Sequence, residues 1–546
     1  MTFRAVSLMK LRCLLYCCWL LGAAAHGSTV IVSDTFTDGS RSNATGGDAQ
    51  GLVWYMGETW GTLTVTNDDA GIGSGNALLF TPTAAWGKYL AYFGPAALAN
   101  PGDSVTLSFD FRFASPPTNI SAGFRVGLYN SMGTRQSTDA TDTGVPGPGD
   151  RSDDVGYGFQ ANPGLNSGTG LSVFSEGAGN DILGGASPSQ TANQGTAGAS
   201  FNFLTGKHTA LLLIARQPNG DLALSAQFDS GAAATATIAA ASVMTYTFDE
   251  LALEEGGLAW WVPQLIDNVT LTTTAADDFD KLRAKWWQVQ TGGTNYNLTD
   301  SLVKSRLTSL TNTALGYWNT MDKSGTNTFL WNDLTSTTDS GQISTAYSRL
   351  RAMALAYATY GSNLRSNATL AADIKTGLNW MYANRYNETA TEYDNWYDWE
   401  IGVPLSIADV TIFMYDALRI TGLSNTLSAV DNFTPSPFSG TSGTSTGGNL
   451  TDKMRIVAVC GAAAKDASKL AAAQSAFSSL FQYVTSGDGF YADGSFIQHT
   501  HHPYNGSYGL VVINDVSLVL PWLTGSPWQC TDPAQTNVLQ WVYNAY

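Results

Sequence analysis

The chain has 546 residues, a formal charge of -17 and only five histidines. So acidic a chain excludes non-specific nucleic-acid binding, which needs a basic face. Its length calls for more than one domain.

Arg4, Lys10 and Arg12, an apolar run from Leu14 to Leu21 and the small residues after it read as a secretory signal over residues 1–25, cut near Ala25. Met9 opens a complete signal by itself. The run is too short to span a bilayer. Removing its three basic residues takes the charge from -17 to -20. Cys13, Cys17 and Cys18 leave with it, so Cys460 and Cys530 remain, as one disulfide or as two thiols. Nine N-x-S/T sequons (Asn43, Asn119, Asn268, Asn297, Asn367, Asn387, Asn432, Asn449, Asn505) suit a glycosylated, extracellular eukaryotic protein. With no transmembrane run after the signal, the expectation is a secreted, soluble protein without a membrane partner.

Residues 26–275 alternate apolar and polar. In "SVTLSFDFRF", Val105, Leu107, Phe109, Phe111 and Phe113 share one strand face, and Pro218-Asn219-Gly220 between two apolar runs signals a hairpin. The spacing predicts an antiparallel β-sandwich or jelly roll. This half carries 8 basic and 22 acidic residues against 16 and 22 in residues 276–546. Such charge suits a neutral sugar, Ca²⁺ or no ligand at all better than a polyanion.

Over residues 276–546 the period becomes helical. Val303, Leu307, Leu310, Ala314 and Trp318 fall on one face, as do Ile407, Val410, Met414 and Ala417, with Ser406 as N-cap and Gly422 as stop. Paired antiparallel helices are expected from this pattern. The Gly, Ser and Pro content of "TPSPFSGTSGTSTGG", Thr434 to Gly448, makes it a loop.

Three of the five histidines crowd into "FIQHTHHPYNGSYG". His499 and His501 have the spacing of strand-borne metal ligands, but no pattern marks a third, and no metal or other cofactor is expected. Asp398 and Glu400 of "NWYDWEIG" offer a glycosidase reading, two acids among rings that could stack on sugar. A third reading joins histidine, tyrosine and amide.

For that third reading, "NWYDWEIGVPLSIADVTIFM", "TGGNLTDKMRIVAVCGA" and "DGFYADGSFIQHTHHPYNGSYG", in this order, resemble the signature blocks of polysaccharide lyase family eight. The likeness runs from about Asp277 to the end. It implies an α/α toroid that acts on hyaluronan, chondroitin, xanthan or mannuronan without a cofactor. The preceding sandwich has no part in the likeness and only looks like appendages seen on secreted carbohydrate enzymes, and the multidomain chain is expected to be a monomer. The likeness makes Asn449 the binder of the uronate carboxylate, and His499 and Tyr508 the proton-transfer pair. Asn395, Trp396 and Tyr397 become the patch that orients the chain. A polyanion cleft also needs positive charge, and of Arg349 and Arg351, two apart on an expected helix, at most one faces it, with Arg349 as the candidate. His501 and His502 match nothing in the family. Leu450 stands where the family usually has Arg after the catalytic Asn. Family members also continue well past the His/Tyr block, so the toroid is expected to be incomplete, from a truncated gene model or a degenerate relative. A carbohydrate-binding relative that has lost turnover is the non-enzymatic alternative.

The chemistry stands without the family. Removing the C5 proton of a uronate becomes feasible when the adjacent carboxylate is neutralised, which a neutral amide and a helix N-terminus do without adding a competing base. Histidine can accept a proton near neutral pH, and tyrosine can donate to the departing C4 oxygen or serve as base. Residue types alone leave open which of the two takes the C5 proton.

Overall fold

A computed structural model describes residues 28–43, 48–73, 75–84, 87–117, 124–140, 151–161, 171–178, 182–183, 190–197, 203–255, 262–440 and 443–546. The expected signal, residues 1–25, and the Asn119 sequon lie outside the described residues. The chain divides into two compact units between Asp277 and Asp278.

The first unit is two antiparallel sheets, of eight and seven strands among the described residues. Strand Ser104–Phe113 lies inside the larger sheet between His208–Arg216 and Gln264–Thr274. Its Val105, Leu107, Phe109, Phe111 and Phe113 are all buried, and they share one core with Phe124, Val126 and Leu128 of the other sheet. Alternation therefore works as expected in Ser104–Phe113, whose apolar face supplies the layer between the sheets, whereas Phe124–Asn130 is buried on both faces, with Tyr129 in a separate apolar cluster. The Pro218-Asn219-Gly220 turn joins two strands paired from Ala210↔Phe228 to Arg216↔Leu222, with Gly220 at φ 81°.

The second unit is helical: α1 Asp278–Thr291, α2 Ser301–Thr320, α3 Gly341–Ala358, α4 Ala368–Asn384, α5 Val403–Phe413, α6 Tyr415–Phe433, α7 Gly447–Ala464, α8 Ala467–Leu480, α9 Leu510–Leu523 and α10 Asn537–Ala545. Helices α5 and α7 form its centre. Residues 406 to 413 of α5 are buried on every side, and α5 packs between α3 and α7. A helix apolar all round belongs in a core. Two boundary expectations are corrected by this environment. Ser406 is interior to α5, which starts earlier because Pro404 fits its first turn. Gly422 does not stop a helix but lies within α6, since burial of Leu423 and Leu427 outweighs a glycine's helix cost of about 1 kcal/mol.

The segment Asn505–Leu523 is long and apolar enough to cross a membrane by length and composition. Here its Val512, Val516, Val519 and Leu523 lie in the helical core. Cys460 and Cys530 are both free thiols, and burial pushes Cys460 up to about 12, which leaves it unreactive.

Candidate active site

The loop before α7 ends in Thr446, whose hydroxyl donates to Asp488 (2.7 Å) instead of capping the helix. Capping comes from elsewhere: the Gly448 N–H donates to Oε1 of Gln498 (3.0 Å). Asn449 lies inside the first turn of α7, because Gly447 and Gly448 both belong to the helix. Both glycines are needed for close approach. A Cβ on Gly447, at φ 54°, would collide with Oε1 of Gln498, and one on Gly448 would lie 2.7 Å from Cδ1 of Tyr508. Oδ1 of Asn449 is buried and has no hydrogen-bond partner among the described residues. That oxygen is an acceptor, so it is open to a ligand hydroxyl or N–H, whereas a ligand carboxylate would have to take the Nδ2 donor.

His499 and Tyr508 come from a short antiparallel hairpin and the turn after it. Strands Gly489–Phe490, Phe496–Gln498 and His502–Pro503 pair in order. At its tip, His499 (φ 53°) and Thr500 (φ 74°) are left-handed, and the Thr500 N–H donates to Asp488 (2.6 Å). A β-branched residue in that region is strained, and such strain persists where the surroundings hold it. The chain then enters α9 through a wide turn in which the Gly509 N–H reaches the carbonyl of Tyr504 (3.0 Å). This turn sets the Tyr508 hydroxyl 3.3 Å from Nε2 of His499, with the rings perpendicular and 5.2 Å apart. Burial, then the charges of Tyr504, Asp452 and Asp488, raise the Tyr508 phenol above its ordinary value, so it is protonated at neutral pH.

The aromatic segment is fixed by Ser340 at the start of α3. Ser340 Oγ accepts from the Asn395 N–H (3.1 Å) and donates to Asp398 (2.7 Å). The Asn395 side chain then accepts from the Tyr397 N–H (3.1 Å). Trp396 is half-buried with Lys453 of α7 5.7 Å from its ring, while Tyr397 is exposed. Burial and the charges of Asp452 and Tyr508 push Tyr397 up to about 12. Through Lys453, Asp452 and Tyr508, this segment is linked to the turn that carries Asn449.

Beneath that turn the charges are neutralised pairwise. Asp452, one turn after Asn449, is raised well above the carboxylate range by burial and by Asp515 of α9. Arg455 bridges Asp515 (3.3 Å) and Asp409 (3.4 Å), and Asp409 also accepts from Arg351 (2.6 Å). Arg349 is turned elsewhere, into a forked pair with Asp333 over the rings of Tyr317 and Trp331, each 5.3 Å away. The glycosidase reading loses its second acid. Glu400 is 1% exposed and ion-paired with Lys453, and Asp398 serves Ser340. Among the described residues no group of three or more His, Cys, Asp or Glu is arranged to hold a metal ion.

Two contributors escaped the sequence reading. Gln498 and Asp488 tie the hairpin to the start of α7, through Gly448 and through Thr446 and Thr500. Gly448 gives Tyr508 its seat. Only the paired glycines before Asn449 carried a signal that something approaches closely there.

Residues 286–546 match the model described as polysaccharide lyase family 8, N terminal alpha-helical domain. A xanthan lyase of Bacillus sp. (strain GL1) is 41% identical over 275 residues, 50% of this chain and 29% of that protein. A hyaluronate lyase of Thermasporomyces composti is 33% identical over 275 residues, 50% of this chain and 34% of its own. The solved chondroitin AC lyase of Streptomyces coelicolor A3, in complex with chondroitin sulphate, aligns with 37% identity and a TM-score of 0.46, over 50% of this chain and 36% of that one. The chain thus spans about a third of the length of the relatives it matches.

Proposed function

Residues 286–546 belong to polysaccharide lyase family 8, and from that premise we propose that this chain cleaves uronate-containing acidic polysaccharide by β-elimination. One observation carries the reading: the His499–Tyr508 pair, 3.3 Å apart, is seated through Gly448 on the helix turn that presents Asn449. The Asn449 amide and the dipole of α7 neutralise the uronate carboxylate, which makes the C5 proton acidic enough to remove. His499 accepts that proton. Tyr508, held protonated, donates to O4 as the C4–O4 bond breaks, and the electron pair of the C5–H bond becomes the C4=C5 double bond. Trp396 and Tyr397 hold neighbouring sugar by their ring faces. The helical unit would be a portion of the family's α/α toroid, and the N-terminal run and the sequons support a role outside the cell.

The test is incubation with xanthan, hyaluronan and chondroitin sulfate, read as ultraviolet absorbance of the unsaturated uronate. Tyr508→Phe should lower turnover by about 10²–10⁴-fold, the usual worth of proton transfer. No unsaturated product from any acidic polysaccharide, or full activity in Tyr508→Phe, would refute the reading. Leu450, directly after Asn449, favours the second reading of a binding protein without turnover, and the same assay separates the two.

A further inference from the structure

Resting on that reading, we propose that His501, His502 and Tyr504 form a second sugar-binding subsite, which takes the acidic unit adjoining the one that is cleaved. The rings make a continuous series beside the reacting pair. His501 and His502 lie with centroids 4.7 Å apart and planes tilted by 40°, His502 lies edge-on 6.1 Å from Tyr504, and Tyr504 lies edge-on 5.2 Å from Tyr508 and 6.0 Å from His499. A sugar seated on these rings would therefore be contiguous with one held at His499 and Tyr508.

The hairpin presents these rings rather than leaving them to drift. The left-handed backbone at His499 and Thr500 turns the chain back, the His501 N–H closes on the carbonyl of His499 (2.9 Å), and His502 pairs with Gln498. Strain at two consecutive residues serves to present the next two side chains, and both imidazoles are exposed. Among the described residues the two imidazoles make ring contacts but no side-chain hydrogen bond. The cations near the site are engaged with carboxylates: Lys453 with Glu400, Arg455 with Asp409 and Asp515, Arg351 with Asp409. A polyanion arriving here meets imidazole N–H groups as available donors. Imidazole and phenol faces can cover sugar C–H groups while ring N–H groups bond a carboxylate or sulfate, so the ligand class is an acidic oligosaccharide.

The experiment compares the full chain with its His501→Ala/His502→Ala variant on hyaluronan, chondroitin sulfate and xanthan, and follows the imidazole resonances of the wild type as oligosaccharides of each are added. Both side chains are exposed, so folding should survive, and circular dichroism checks it. The expected result is a KM raised about tenfold, what one good contact is worth, with a smaller change in kcat and with His501 and His502 resonances that shift on binding. An unchanged KM overturns the subsite while product formation still upholds the lyase reading. A loss confined to kcat assigns the two histidines to holding His499 in place, and the subsite is refuted. If no polymer yields unsaturated product, the lyase reading fails and the resonances decide: shifts support the subsite, and their absence with all three oligosaccharides overturns it.

Discussion

At Gly448 helix stability and site geometry oppose each other, and Gly448→Ala separates them. Alanine is favoured over glycine in a helix by about 1 kcal/mol. Its Cβ would lie 2.7 Å from Cδ1 of Tyr508, 0.7 Å inside the 3.4 Å at which ordinary contact begins (3.4 − 2.7), and Cβ and the carbonyl oxygen of Tyr508 already stand at 3.4 Å. The ring cannot swing aside without its backbone, so the wide turn of residues 505–509 must shift. Overpacking of this kind costs about 1–3 kcal/mol, and the helix gain leaves a net loss of about 0–2 kcal/mol. Activity should suffer far more, because misplacing a reacting group by about 1 Å costs on the order of 10²-fold. Thermal unfolding and unsaturated-product kinetics should therefore disagree: a folded protein with kcat down about 100-fold. A Gly448→Ala protein with wild-type kcat would refute the argument that this contact positions Tyr508.

Lys453→Met strips the buried counter-charge from Glu400 and should destabilise the helical unit by about 3–5 kcal/mol in denaturant titration, with much of the loss recovered by adding Glu400→Leu. In the sandwich, burial first of all raises both Asp154, to about 7, and Glu250. The folded state thus binds these protons more tightly than the unfolded state, so stability should fall as pH rises from about 4 through 7. Glu250→Gln should flatten that slope in calorimetry between pH 5 and 8, and an unchanged slope would remove the pair as its cause. Glycopeptide mapping should find Asn505 unmodified. Its Nδ2 donates to the Gly494 carbonyl (2.9 Å) and its Oδ1 accepts from the Phe496 N–H (2.9 Å), so a glycan there would break the hairpin that carries His499.

The two-unit plan was legible because burial repeats with the period of the local structure. Phe109, Phe111 and Phe113 face one core by strand alternation, and Val303, Leu307 and Ala314 lie on one side of α2 by helical spacing. Periodicity fails where burial is complete. In α5 the residues around Ile407 and Val410 are buried as fully as those two, so no stripe marked where the helix began, and Ser406 looked like a cap only because a polar residue preceded an apolar run. Gly422 misled for a related reason: α6 is held by Leu423 and Leu427 against the core, and tertiary burial decided what local propensity opposed.

At the site, the three proposed reacting groups came from the resemblance of three ordered sequence blocks to a family, whereas the residues that place them had no such signal. Asn449, His499 and Tyr508 stand in "TGGNLTDKMRIVAVCGA" and "DGFYADGSFIQHTHHPYNGSYG", which supply an amide, an imidazole and a phenol. Arg349 and Arg351 lie two apart in sequence, and the structure separates them: Arg349 is committed to Asp333, while Arg351 joins the Asp409–Arg455–Asp515 series under the turn of Asn449. Gln498 and Asp488 act across 50 and 42 residues, on Gly448 and Thr446, through contacts that no local pattern encodes. This division has a physical basis. A reacting group must present a particular functional group, which restricts its residue type, but a positioning contact needs only some donor or acceptor at the right distance. The surrounding fold supplies that distance, so a positioning residue such as Gln498 is recognisable only once α7 and the hairpin are seen together.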